Sequence, residues 1–202
     1  MPMTPMMPMT PMTPMSPMLR WAGLALVAMM PFHVALRPEH GWLLLSTCDV
    51  AAMVTAVGLV VGWPRAVGVA FLFEVAIGLP AFAIGLCSTY PFNPTGTVIH
   101  VVPPLLGGIV VAQRGLPARA GLIAWAGYTA TFIASYLAVP VALNINFSHF
   151  VWPPLARMFP AAWLFQVALL VLIGALLVVA ELAIRRLWAP GPVAAAVRPA
   201  GS

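Results

Sequence analysis

Four histidines, four acids, two cysteines and a pair of asparagines two residues apart are the side chains in this 202-residue sequence that could move a proton, attack an acyl group or hold an ion. Cys48 and Asp49 are neighbours, which puts a thiol and a carboxyl in one short stretch. A thiol is a nucleophile once a base such as an imidazole takes its proton. An imidazole oriented by a carboxylate works as an acid or base, and an asparagine amide can stabilise a developing oxyanion. On these grounds His100, Asp49, Cys48 and Asn146 form the candidate catalytic set. Glu74, His33, His149 and Asn144 are candidate substrate contacts. There is no C-x-x-C, H-E-x-x-H or G-x-S-x-G, so no metal site is expected, and no cofactor is specified.

The elements that must position these groups are membrane helices. Hydrophobic residues make up 62% of the chain and charged ones 6%, and mean hydropathy is +1.02, far from the roughly 25% charged residues of a soluble domain. The net charge of +5 is due to arginine, with no lysine, and apart from the adjacent Arg185 and Arg186 the arginines stand singly between apolar runs. That pattern excludes a nucleic-acid surface and reads as a topology signal. A hydrocarbon core of about 30 Å needs about 20 apolar residues per helix. By that measure the sequence predicts an all-α bundle of six spans, near residues 19–36, 41–62, 66–88, 96–113, 121–143 and 162–184. Arg20, Arg65, Arg114, Arg119, Arg185, Arg186 and Arg198 fall on one face and Arg37 and Arg157 on the other. Both termini are therefore expected in the cytoplasm of a bacterial cell, with the bundle in its inner membrane. Arg20 and the apolar run after it mimic a cleaved signal peptide, but no small-x-small site follows before Arg37.

This topology sends His33, His40, His100 and His149 to the non-cytoplasmic side. Asp49 falls eight residues into the second span, about 12 Å deep at 1.5 Å per residue, where a carboxylate is costly unless paired or hydrated. Glu74 lies nearer mid-membrane and is a proton carrier, a cation ligand or an acid bonded to a neighbouring helix. Glu181 precedes Arg185 by four residues, and an ion pair explains it. In the fourth span Pro103 and Pro104 cannot donate, so the carbonyls of Ile99 and His100 are released. They need a partner, a water or a cavity. Tyr128, Thr131 and Ser135 form a polar stripe facing the bundle interior. Asn144, Asn146 and His149, among Phe147, Phe150 and Trp152, suggest a re-entrant lid at the outer interface. Cys48 and Cys87 could pair in an oxidising compartment, though their depths differ.

Cys48-Asp49 opening the second span, Glu74 in the third, His100 in the fourth and Asn144-Ile145-Asn146-Phe147 before the last resemble a set of uncharacterised bacterial polytopic inner-membrane proteins. More distantly, residues 40–185 resemble the YwaF-type family and its vertebrate relatives, proposed to be membrane acyltransferases on glycerophospholipids. The resemblance implies a thiol at Cys48 and a base at His100. It departs from the family at Ser46, where a histidine is expected. The function expected is a membrane-embedded, lipid-modifying enzyme of acyl-transfer type. The alternatives are a proton- or metal-linked carrier of small solutes and a non-catalytic subunit of a membrane complex. The expected partners are the lipid bilayer and other membrane subunits.

Residues 1–18, MPMTPMMPMTPMTPMSPM, place proline at every third position, the period of a polyproline II helix. Methionine thioethers on one ridge could hold Cu(I), but a disordered extension, or one upstream of the true start, is the expectation. Residues 189–202 are also expected to be a disordered tail, which leaves 19–188 as the transmembrane domain.

Overall fold

The computed structural model describes residues 14–36, 38–88 and 94–188, so the expectations for most of the Pro/Met tail, for Arg37 and for the C-terminal tail lie outside the described residues. The fold is an all-α bundle of six helices, with no strand among the described residues. They are α1 (Pro17–Ala35), α2 (Thr47–Val61), α3 (Pro64–Cys87), α4 (Pro94–Arg114), α5 (Ala120–Ala138) and α6 (Ala162–Leu187). All but α2 are long and apolar enough to cross a membrane, and the chain is a multi-pass membrane protein. Large side chains such as Trp21, Leu105, Leu137, Val171 and Leu187 are exposed around the bundle, which suits lipid and would be untenable in water.

Local chemistry explains the helix ends. Ser16 caps α1 by accepting from the Leu19 N–H at 3.4 Å, and Pro17 sits at the first helical position, where no donor is needed. Gly62, at φ 77°, ends α2 in the left-handed conformation, and Trp63-Pro64 turns the chain straight into α3. Small residues let the backbones close up, as expected where van der Waals packing holds helices together. A Cβ at Gly23 would lie 2.7 Å from the Ala56 carbonyl oxygen of α2, and one at Gly107 would lie 2.7 Å from Phe71 Cβ of α3. One core, containing Phe71, Phe73, Tyr128, Phe132 and Leu177, joins α3, α5 and α6. A second, of Leu19, Leu59, Val67 and Val110, joins α1 to α4.

Two predicted spans are corrected. The second does not run as one helix from residue 41. Pro38–Leu45 is a 3-10 segment, Ser46 is extended, and α2 begins only at Thr47. With 15 residues it rises about 22 Å, short of a bilayer core. The fifth span ends at Ala138 rather than near residue 143, because Pro140 cannot continue the helix, and 3-10 turns at Val141–Leu143, Ile145–Phe147 and Pro153–Leu155 follow. These turns and Pro38–Leu45 share one end of the bundle, called the outer end below. At the other end Arg114 donates to the Pro14 carbonyl at 3.3 Å. Glu181 pairs with Arg185 at 2.8 Å, as expected, and also accepts from the Gly121 N–H at 2.7 Å in the first turn of α5.

Helix α3 changes character halfway. Glu74–Gly78 is a π turn, in which the Leu79 N–H reaches back to the Glu74 carbonyl. Pro80 supplies the reason. Its ring nitrogen cannot donate to Ala76, and widening the helix by one residue relieves the conflict with that carbonyl. Before the turn Val67 and Leu72 are wholly buried, whereas beyond it Ile84 is 54% and Leu86 40% exposed.

Candidate functional site

The first turn of α2 is built by residues far away in sequence. Ser46 occupies the N-cap position but makes no side-chain capping bond. Asn146 does that work instead. Its Oδ1 accepts from the Thr47 N–H and the Thr47 hydroxyl, both at 3.0 Å, and its Nδ2 donates to the Leu45 carbonyl at 2.8 Å and to Ser135 Oγ at 2.9 Å. Ser135 Oγ donates to the same Leu45 carbonyl at 3.3 Å, and Thr47 Oγ1 lies 3.0 Å from Thr131 Oγ1. One amide thus ties the start of α2 to α5, with every donor and acceptor in use. In this arrangement the Asn146 amide has no hydrogen-bonding capacity left over, and it positions the start of α2. Of the predicted stripe, Thr131 and Ser135 are consumed in this clamp, and Tyr128 stacks on Phe73 at 6.2 Å.

The loop that carries Asn146 is packed rather than open. Asn144 Oδ1 accepts from the His149 and Phe150 N–H groups at 2.8 and 3.0 Å, and Nδ2 donates to the Phe150 carbonyl at 3.0 Å. His149 Nε2 donates to the Val139 carbonyl at 3.0 Å, and its ring stacks on Tyr136 at 5.5 Å. Gln166 of α6 holds the Ser148 carbonyl at 2.7 Å. Asn144, Asn146 and Phe147 all adopt positive φ, at 44°, 56° and 57°. Asparagine tolerates that conformation, but a phenylalanine there is strained. Phe147 is held by Trp152 and Phe165, with ring centroids 6.2 and 6.0 Å away. Asn144 and His149 therefore brace the loop through these contacts.

Below the clamp the acids are arranged differently from the sequence expectation. Because α2 starts at Thr47, Asp49 stands in its first turn and not two turns inside a helix. There the exposed N–H groups of the helix favour a carboxylate. Its imidazole partner is His33 of α1, with Nε2 to Oδ1 at 3.7 Å and both side chains buried. His33 Nδ1 is 3.0 Å from Thr95 Oγ1 in the first turn of α4. Glu74 is wholly buried at the π turn, and neither of its carboxyl oxygens has a hydrogen-bond partner among the described residues. A Cβ at Gly78 would collide with Glu74 Oε2 and lie 3.7 Å from Cys48 Sγ, so the acid and the thiol meet at one point on α3.

His100 is separate from this pair. Its Nδ1 donates to the Gly96 carbonyl at 2.8 Å, and its ring stacks on Phe82 of α3 with centroids 4.5 Å apart and planes 12° from parallel. The expected orientation of His100 by Asp49 is thus replaced by a backbone carbonyl. With Nδ1 bearing the hydrogen, Nε2 keeps its lone pair. Phe82 lies one helical turn beyond Gly78, so Cys48 and His100 flank the same stretch of α3, just where that helix becomes exposed.

No protein-family model, curated protein or solved structure matches this chain. The residues themselves therefore carry the functional argument. Cys48 is half-buried and Cys87 exposed, and both are free thiols. Among the described residues no three His, Cys, Asp or Glu side chains are grouped as metal ligands. The side chain of His40 lies outside the described set. Sequence reasoning overlooked Thr95, and Thr47 entered it only as a neighbour of Asp49. Thr95 carries a faint signal, a hydroxyl after the proline that opens α4, but nothing in the sequence joins either threonine to its partner.

Proposed function

We propose that this chain is a membrane-embedded, lipid-modifying enzyme of acyl-transfer type, working where the exposed outer half of α3 faces α4. The observation that carries the reading is the convergence of Cys48, Glu74 and His100 on the Gly78–Phe82 turn, at the depth where α3 loses its protein cover. A phospholipid whose glycerol backbone sinks past Ile84 and Leu86 from the outer end would bring its ester carbonyl to that turn, with its tails running on toward the bilayer centre. The Cys48 thiol gives its proton to His100 Nε2 and its sulfur bonds to the acyl carbon. The ester C–O bond breaks, and the departing alcohol takes the proton from His100. The resulting thioester passes its acyl group to a second alcohol or to water. Cys48 and His100 are not in contact without substrate, a common state for catalytic groups before the complex forms. The resemblance to YwaF-type proteins points the same way. The arginine distribution supports a bacterial inner membrane with both termini inside.

Purified protein in vesicles with an alkyne-tagged phospholipid should acquire a hydroxylamine-labile acyl label at Cys48. The label should vanish in Cys48→Ala and fall in His100→Gln. No label and no altered lipid would overturn the proposal. Glu74 favours a second reading, a proton-linked carrier, because a buried acid without a hydrogen-bond partner suits reversible protonation. That reading requires proton flux in protein-containing vesicles that Glu74→Gln abolishes.

A further inference from the structure

Each of the first four helices contributes one protic side chain to a line running inward from the outer end. Thr95 opens α4 and is half-buried, His33 is in the last turn of α1, Asp49 is in the first turn of α2, and Glu74 begins the π turn of α3. The steps are a 3.0 Å contact from Thr95 Oγ1 to His33 Nδ1 and a 3.7 Å contact from His33 Nε2 to Asp49 Oδ1. The last step runs from Asp49 past its sequence neighbour Cys48, whose Sγ and Glu74 Oε2 meet at Gly78. Acyl transfer as described above takes its proton and bond changes from Cys48 and His100 and assigns no step to these four.

We propose that Thr95, His33, Asp49 and Glu74 form a proton relay that exchanges the Glu74 carboxyl with the outer aqueous phase. A proton arriving from water is accepted by Thr95 Oγ1 as that hydroxyl gives its own proton to His33 Nδ1. His33 releases the Nε2 proton to Asp49, so the imidazole changes tautomer and gains no net proton. Asp49 then passes a proton to Glu74 through a rotamer change or one water, since the Glu74 oxygens accept no hydrogen bond from the described residues. Every hop is reversible and conserves protons. The hydrogen bond needed at each stage is supplied by a group that both donates and accepts, the property required for relay. The other titratable groups facing this end of the line are Cys48, beside Glu74 and Asp49, and Tyr128, beside Cys48. Neither bridges His33 to water. The relay does not depend on lipid turnover, so it stands or falls separately from the acyl-transfer reading.

Infrared spectroscopy of the full chain in vesicles tests it. The protonated-carboxyl stretch that disappears in Glu74→Gln identifies the Glu74 acid, and its shift after exchange into heavy water times proton access. Backbone amide exchange in the same spectra reports whether the fold is intact. His33→Phe should slow carboxyl exchange on the order of a hundredfold, in the range a positioned proton-transfer group contributes, with amide exchange unchanged. Thr95→Val, which keeps the shape and removes the hydroxyl, should slow it as well, and this variant decides the matter if His33→Phe loosens the bundle. Carboxyl exchange as fast as wild type in Thr95→Val, or in a folded His33→Phe, would overturn the relay. So would the absence of any carboxyl band that Glu74→Gln removes.

Discussion

Asn146 and Glu74 are both polar groups inside the bundle, and the protein treats them in opposite ways. Four hydrogen bonds engage the Asn146 amide. The Glu74 carboxyl is wholly buried with both oxygens unpartnered by hydrogen bonds among the described residues. In a low-dielectric interior a fully satisfied network rigidifies, whereas an unsatisfied group costs stability and persists where it does something else. The difference separates the outer clamp, which builds the first turn of α2, from the π turn, which keeps an acid without a hydrogen bond beside Cys48. π turns are frequent at functional sites, and this one also sends the outer half of α3 away from the core.

The sharpest way to break the comparison is to remove the clamp. Asn146→Ala deletes four hydrogen bonds and leaves the Thr47 N–H and the Leu45 carbonyl to find other partners. Stability should fall by roughly 3 kcal/mol, taking somewhat under 1 kcal/mol per bond in a membrane protein. Reversible unfolding in mixed micelles measures it, and a loss below about 1 kcal/mol would show that the network is ornamental. The opposite sign is expected at the π turn. Glu74→Met removes an unpaired acid and fills its space with a flexible apolar chain, so the bundle should gain about 1–2 kcal/mol. A destabilised Glu74→Met protein would mean that the carboxyl has a partner and belongs with Asn146 on the structural side. A thiol probe compares the two regions a third way. With the clamp cut, the first turn of α2 frays, so alkylation of Cys48 should accelerate several-fold while Cys87, exposed on α3 and remote from Asn146, reacts at its original rate. Equal acceleration of both thiols would indicate general loosening.

Much of this architecture was legible in the sequence, because five of the helices coincide with apolar runs bounded by proline, glycine and arginine. What hydropathy could not see was the break at Ser46. GWLLLST is as apolar as the helix that follows, and a 3-10 segment and an α-helix bury the same side chains. That one misplacement put Asp49 too deep and paired it with His100, whereas the true start at Thr47 brings it level with His33. Glu74 stood out as a lone acid in an apolar run, but its π turn depends on how Pro80 is accommodated, which composition does not reveal. The clamp was illegible for a different reason. Thr47 and Asn146 are 99 residues apart, and neither carries a local pattern that names the other. Asn146 was visible as a polar residue needing a partner, but its sequence context does not say that the partners are Thr47, Leu45 and Ser135.

The smallest effect is expected at the opposite end of the bundle, where Glu181 offers a control that resembles both regions. Like Asn146 it is satisfied, by Arg185 at 2.8 Å and by the Gly121 N–H at 2.7 Å. Like Glu74 it is a carboxyl on a membrane helix. Arg185 is 38% exposed, so water and salt screen the pair, and an exposed i,i+4 pair contributes only about 0.3–0.5 kcal/mol. Glu181→Gln keeps an oxygen for Gly121 and loses only the charge, so stability should drop by about 0.5 kcal/mol, and less as salt is raised. Glu181→Ala should cost more, because it also strands a donor in the first turn of α5. If Glu181→Gln cost as much as Asn146→Ala, charge rather than hydrogen-bond satisfaction would govern polar groups in this bundle. The unpaired Glu74 would then need a different explanation.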